Sequence, residues 1–266
     1  ISVIVTLYNR LEYARNMILA LQQQTKQIDE LIFADDGSSE KLMEYIEDLL
    51  VDCNFKIKHV YQDDIGFRLA RSRNNGAREA SGDYLIFMDQ DVIFNNDFIE
   101  SIYNSRRKKR MIFSEALSSS LEERNKIQEL INQKFDYEKI VNKEILRGIL
   151  YKLKLRTRGA KIVGLIFSLF KEDFININGL DEKYIGYGYE DDDFGNRFFK
   201  YGGETYVFKM KMYPIHMYHK AASPNGSPNE DYYRQRKIEI SKKNYRCEYG
   251  YDKTFGEDKY KVIEIK

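Results

Sequence analysis

The first ninety residues alternate between two periodicities, and no other feature restricts the fold so tightly. Residues 1–7 form a β-branched run of the kind a buried strand shows. Leu11, Ala14, Ile18 and Leu21 then recur at helical spacing, which predicts a helix over 11–24. The next strand covers 30–34 and runs into the turn Asp35-Asp36-Gly37-Ser38-Ser39. A helix over 41–50, a strand over 55–61, a helix over 69–80 and a strand over 84–88 follow. This order implies an α/β fold: a mainly parallel central sheet with right-handed crossovers, flanked by helices. Open sheets of this kind bind ligands beyond the carboxyl ends of their strands, and polar clusters stand at those ends here.

Beyond residue 100 the pattern changes. A basic run, Arg106-Arg107-Lys108-Lys109-Arg110, leads into a polar, helix-prone stretch reaching about residue 155. Residues 146–158 mix Leu, Ile and Tyr with Lys and Arg. They read either as a basic amphipathic helix on a membrane surface or as a solvated helix packed on the sheet by one face. Residues 163–170 and 205–212 are strand-like. The tail from 221 carries Pro224, Gly226, Pro228 and many charges, and reads as loop plus a peripheral helix.

Lys+Arg 43 against Asp+Glu 42 leaves a formal charge of +1, so no global field draws in nucleic acid or an acidic polymer. The two cysteines, Cys53 and Cys247, are far apart and in no metal-ligand spacing, which suits a reducing compartment. No stretch reaches the ~18 apolar residues of a membrane span. The chain opens directly on a strand, so no signal peptide is expected unless a segment was removed before residue 1, and a cytoplasmic location follows.

Five clusters carry chemistry. In Tyr184-Ile185-Gly186-Tyr187-Gly188-Tyr189-Glu190-Asp191-Asp192-Asp193, four acidic residues follow glycines and tyrosines. Adjacent carboxylates repel, so folding alone has little reason to gather them, whereas a site needing a general base and hydroxyl acceptors does. A solvated helix N-terminus would also favour them. The glycines let the backbone bend, and the tyrosines offer flat faces to a sugar ring. Asp89-Gln90-Asp91 follows an apolar strand, and its two carboxylates can share a hard cation and the phosphates it bridges. His216-Met217-Tyr218-His219 holds two of only three histidines; they converge on one cation if the stretch turns, or end a strand as hydrogen-bonded side chains. His59, inside a strand, reads as structural. Asp35-Asp36-Gly37-Ser38 can accept from a uracil N–H or ribose hydroxyls, or is turn chemistry. The stretch 66–76 holds Arg68, Arg71 and Arg73, suited to phosphate, with at least one expected on the surface.

Taken together, Ile4-Val5-Thr6-Leu7-Tyr8-Asn9-Arg10, Ala34-Asp35-Asp36-Gly37-Ser38, the 68–74 stretch and Asp89-Gln90-Asp91 resemble family 2 glycosyltransferases of the GT-A fold. Asn178-Gly179-Leu180-Asp181-Glu182, then 186–193 and the paired histidines, resemble the β-galactosyltransferase and chondroitin-polymerase branch. The likeness runs from residue 1 to about 220. It implies a GT-A domain over 1–220 with a helical insert at about 105–160, and an extension over 221–266. It further implies that Asp91, His219 and His216 bind Mn²⁺ or Mg²⁺. Thr6, Tyr8, Arg10, Asp35 or Asp36, and Arg68 would hold the nucleotide diphosphate, and Asp89 the sugar or ribose. Asp191 would be the catalytic base, with Glu190 and Asp192 gripping sugars and Tyr187 facing the acceptor. Where the family often has Gly-Trp-Gly-Gly, this chain has Gly186-Tyr187-Gly188-Tyr189. The implied activity is inverting, metal-dependent transfer of a hexose or N-acetylhexosamine, of the galactose or GalNAc type, from a UDP-sugar to a glycan or lipid-linked acceptor in bacterial surface polysaccharide assembly. Two other readings stand beside it. One is a nucleotidyltransferase on a related fold, disfavoured because no Gly-rich phosphate loop lies near residue 10. The other is a catalytically silent sugar- or nucleotide-binding module, disfavoured by the intact 190–193 run.

Overall fold

The computed structural model describes residues 1–119, 134–155, 162–207, 214–219 and 227–266. Four strands, β1 (Ser2–Leu7), β2 (Glu30–Asp35), β3 (Lys56–Tyr61) and β4 (Tyr84–Asp89), pair in parallel in the order β3-β2-β1-β4. Every residue of β1 and β2 is buried, as expected of strands covered on both faces. Helices Glu12–Gln22 and Leu69–Glu79 make the crossovers. The predicted helix over 41–50 is a single α-helical turn, Met43–Ile46, continued by a 3₁₀ stretch, Glu47–Asp52.

The sheet then becomes mixed. With β5 (Val92–Ile93), β6 (Arg110–Phe113), β7 (Leu117–Ser118), β8 (Ile166–Phe170), β9 (Glu204–Val207), β10 (Ile215–His216) and β11 (Lys261–Glu264), the main sheet runs β11-β3-β2-β1-β4-β8-β6-β9. β8 is antiparallel to both β4 and β6, and β9 is parallel to β6. β11 comes from the tail and pairs antiparallel with β3, an edge that sequence reading left as loop. All four of its residues are exposed, so no apolar pattern announced it. A small second sheet, β5-β10-β7, lies beside the carboxyl end of β4.

Stacked Phe87, Phe167 and Phe174 fill the space under β4 and β8, with ring centroids 4.6 and 5.2 Å apart. Phe194 reaches them from helix Glu190–Tyr201, seating that helix on the sheet. The predicted strand over 205–212 is seen to Val207, and residues 208–212 lie outside the described residues, as do 156–158 of the amphipathic stretch. No helix among the described residues is long and apolar enough to cross a membrane.

Candidate active site

The carboxyl ends of β1, β2 and β4 open into a cavity of about 890 Å³. Its walls include Thr6, Tyr8, Arg10, Asp36, Asp89, Asp91, Tyr187, Glu190, Asp191, His216 and His219. Asp35, Arg68 and Asp192 are not among its lining residues. Asp35 turns back into its own turn, where Oδ1 accepts from the N–H groups of Gly37 (3.1 Å) and Ser38 (2.8 Å). Its other oxygen is 2.9 Å from His59 Nε2, which gives that histidine its structural partner.

At one end of the cavity three ligand-type side chains converge. β10 runs antiparallel to β5 with His216 opposite Val92, and Met217 N–H donates to Asp91 O at 2.8 Å. This brings His216 Nε2 to 3.3 Å and His219 Nε2 to 3.2 Å from the two Asp91 oxygens. One ligand atom from each of the three lies within 4.8 Å of the others. Burial alone would push the Asp91 carboxyl up, but His216, His219 and Arg10 hold it below the ordinary carboxylate value. Asp91 Oδ1 is buried and meets no hydrogen-bond geometry. A buried carboxylate whose two oxygens each face an imidazole nitrogen is an oxygen–nitrogen donor set that can hold a divalent cation.

The loop after β1 bends to meet this end. Asn9 and Arg10 both take left-handed φ, 51° and 54°, which non-glycine residues rarely adopt. Glu40 holds the loop by accepting from Arg10 N (2.7 Å) and Leu11 N (3.0 Å). Arg10 Nη1 then stands 3.6 Å from Asp91 Oδ2. Across the cavity, Tyr8 donates its hydroxyl to Asp64 Oδ2 at 3.1 Å. On the floor, Asp36 accepts from Arg68 N–H (2.7 Å) and from Gln62 Nε2. Burial raises Asp36 to about 6 against those donors.

The acidic row splits by helical rotation. Glu190 and Asp191 open helix Glu190–Tyr201 on the cavity side, while Asp193 points into the interior and pairs with buried Arg197 at 2.6 Å. Burial, then the adjacent Asp191 charge, pushes Glu190 up to about 7, against the pull of Arg73. Asp191 Oδ2 accepts from Gly164 N at 3.1 Å, and Oδ1 accepts from Asp192 N at 2.7 Å.

Sequence reading did not single out Gly164, and did not separate Arg73 from its neighbours. Arg73 Nη2 donates to Asp89 Oδ1 (2.8 Å) and to Gly164 O (2.6 Å), while Thr6 Oγ1 donates to Asp89 Oδ1 at 3.0 Å. A Cβ on Gly164 would come within 3.3 Å of Arg73 Nη1 and 3.4 Å of Asp191 Cβ, which leaves little room for a larger residue. The expectation of one surface arginine is corrected: Arg68, Arg71 and Arg73 are all buried. Arg68 pairs with Asp258 at 2.8 Å, and Arg71 with the same carboxylate at 3.0 Å. Those partners lie nearly two hundred residues away, so no local pattern pointed to them.

Several known proteins resemble this chain over part of their length. Validoxylamine A glucosyltransferase of Streptomyces hygroscopicus subsp. jinggangensis is 32% identical over 104 residues, 38% of this chain and 24% of that protein. Glycosyltransferase GlyG of Streptococcus pneumoniae is 30% identical over 109 residues, 41% of this chain and 36% of its own length. The chain thus spans only a quarter to a third or so of these relatives. Among solved structures, S. aureus TarS 1-349 in complex with UDP-GlcNAc superimposes with a TM-score of 0.60 at 15% identity, over 94% of this chain and 68% of that one. A longer TarS structure gives 0.58 at 15% identity, over 90% of this chain and 39% of that chain. At that identity the likeness establishes the GT-A fold. A model described as N-terminal domain of galactosyltransferase matches residues 145–220, the part that carries the acidic helix and both histidines. The model described as Glycosyl transferase family 2 matches residues 2–170, well over half of the chain and all four parallel strands, and the chain belongs to that family.

Proposed function

We propose that the chain transfers a hexose or N-acetylhexosamine, of the galactose or GalNAc type, from a UDP-sugar to a hydroxyl of a glycan or lipid-linked glycan, with inversion, in bacterial surface polysaccharide assembly. The observation that carries this reading is one cavity with a cation-type triad, Asp91, His216 and His219, at one end and the Glu190–Asp191 pair in its wall. A divalent cation held by the triad would offset charge on the departing diphosphate. Thr6, Tyr8, Arg10 and Asp36 line the part that would take the nucleotide, and Asp89, tied to Thr6 and Arg73, faces the sugar or ribose. Arg68 serves this region through its backbone N–H on Asp36. Asp191, oriented by the Gly164 and Asp192 N–H groups, takes the acceptor proton as that hydroxyl attacks the anomeric carbon from the far face. Glu190 grips a sugar hydroxyl and Tyr187 supplies a flat face to the acceptor. That the neighbouring fold binds UDP-GlcNAc supports a UDP-sugar donor.

Calorimetry tests the reading. UDP should bind at least about tenfold more tightly with Mn²⁺ than with EDTA, a difference of ~1.4 kcal/mol. Asp91→Ala should remove the difference. Equal affinity in both conditions would rule out Asp91, His216 and His219 as the cation site.

A further inference from the structure

Both family matches stop at or before residue 220, yet the loop carrying Tyr187 is built against residues beyond that point. Asn229, 6% exposed, donates its Nδ2 to the carbonyl of Gly188 at 3.1 Å and to that of Gly186 at 3.4 Å. Gly186 and Gly188 have left-handed φ, 81° and 102° respectively. A Cβ on Gly186 would touch Pro228 Cγ at 3.0 Å, and one on Gly188 would touch Ser227 Oγ at 3.0 Å. Tyr189 closes the loop with φ 74°, a conformation costly to a non-glycine residue. Its ring is stacked on Tyr233 with centroids 4.6 Å apart and planes 13° apart, a contact that offsets part of that cost. Tyr233, from helix Glu230–Ser241, also accepts from Asn196 Nδ2 at 3.2 Å, on the helix that begins with Glu190 and Asp191.

We infer that Asn229 and Tyr233 are positioning residues for the acceptor side of the site. They clamp the loop 186–189 so that Tyr187 and the helix start behind it keep one orientation toward the cavity. Neither residue lines the cavity, so they act only through the loop and the helix start. The inference rests on the reading of Tyr187 and Asp191 as acceptor-facing groups. It deepens that reading by assigning part of acceptor geometry to a segment outside the family match.

The chain has no Trp, so Tyr187→Trp supplies a single fluorescent reporter on the loop. In that background, without ligand, Asn229→Ala or Tyr233→Leu should raise acrylamide quenching about twofold, because a loop released from its tie samples more open states. Tyr233→Phe keeps the stack on the loop and loses only the Asn196 bond to the helix, so quenching at position 187 should stay close to the parent's. In the chain with Tyr187 intact, Asn229→Ala should slow release of UDP from whichever of UDP-glucose, UDP-galactose, UDP-GlcNAc or UDP-GalNAc the wild type turns over fastest. The expected loss is about tenfold to a hundredfold, the cost of ångström-scale misplacement. UDP–Mn²⁺ affinity should stay unchanged. Unchanged quenching in both Asn229→Ala and Tyr233→Leu overturns the inference. So does a parallel loss of UDP affinity, which would mark a general loss of structure. Failure of the wild type to bind UDP would instead overturn the reading of the cavity, while the quenching comparison, made without ligand, still judges the clamp.

Discussion

Asp36 and Asp191 line the same cavity. Asp36 is raised from 3.8 to about 6 because burial outweighs its Arg68 and Gln62 donors. A carboxyl whose folded value exceeds its unfolded one favours the folded state below about pH 4. That advantage is lost as pH rises through about 6. A rise from 3.8 to about 6 corresponds to about 3 kcal/mol. Asp36→Asn removes the titration and adds a pH-independent offset, since an amide cannot accept from both donors as the carboxylate does. Urea unfolding should therefore show the variant gaining on wild type between pH 4 and pH 7.5, and a difference that does not change with pH would refute the buried assignment. In the proposed reaction Asp191 is the proton acceptor. Asp191→Asn should lower kcat by ~10²–10⁴-fold, the usual contribution of a positioned base, with UDP–Mn²⁺ binding preserved. Glu190→Gln, Asp192→Asn and Asp193→Asn belong in the same comparison. Near wild-type turnover in Asp191→Asn beside collapse in one neighbour would transfer the role to that neighbour.

Helix Leu69–Glu79 shows where an element can be found in a sequence while its purpose stays hidden. Its existence was legible from the alternation of strands and helices, and β1, β2 and β4 from apolar runs, because strands buried on both faces read that way. The pairing of His216 and His219 was legible because the chain has only three histidines, while their meeting with Asp91 came from the family resemblance. The destination of the arginines was not. Arg71 donates to the carbonyls of Phe255 and Asp258, and Arg78 to those of Tyr251 and Gly250, so this helix holds the tail that ends in β11. Such contacts depend on tertiary placement alone. Asp258→Ala leaves two buried guanidinium groups without their carboxylate. Breaking a buried pair costs ~3–5 kcal/mol, and the partial exposure of Asp258 reduces this to about 2–3 kcal/mol. Chemical denaturation should read that loss while UDP affinity is kept. A large fall in UDP affinity at full stability would instead return Arg68 to the nucleotide.

At the scale of the whole molecule the charge is nearly balanced, at +1, so any attraction to a charged surface has to be local. Helix Lys134–Lys152 and the turn after it provide one such locality. Leu146, Ile149, Leu153 and Leu155 are between 48% and 69% exposed. The first three fall at i, i+3 and i+7, a single helical stripe. Lys143, Lys152 and Lys154 are exposed around them, and Lys152 shares its charge with Glu204 at 2.9 Å. An apolar stripe edged with lysine matches an anionic lipid surface, where apolar side chains enter the headgroup boundary and ammonium groups stay at the phosphates. The described part of this face, residues 146–155, is accordingly predicted to contact an anionic membrane surface. Wild-type chain should co-sediment with vesicles containing phosphatidylserine, more weakly with pure phosphatidylcholine, and less well as salt rises. Each Leu→Glu change removes about 1.5 kcal/mol or more of apolar burial, so Leu146→Glu with Leu153→Glu should weaken vesicle binding about a hundredfold. UDP affinity should be untouched, because neither leucine lines the cavity. If the double variant sediments as wild type does, or wild type ignores anionic vesicles, the stripe has another occupant. A concentration-dependent mass that the same two substitutions abolish would identify it as a second copy of the chain.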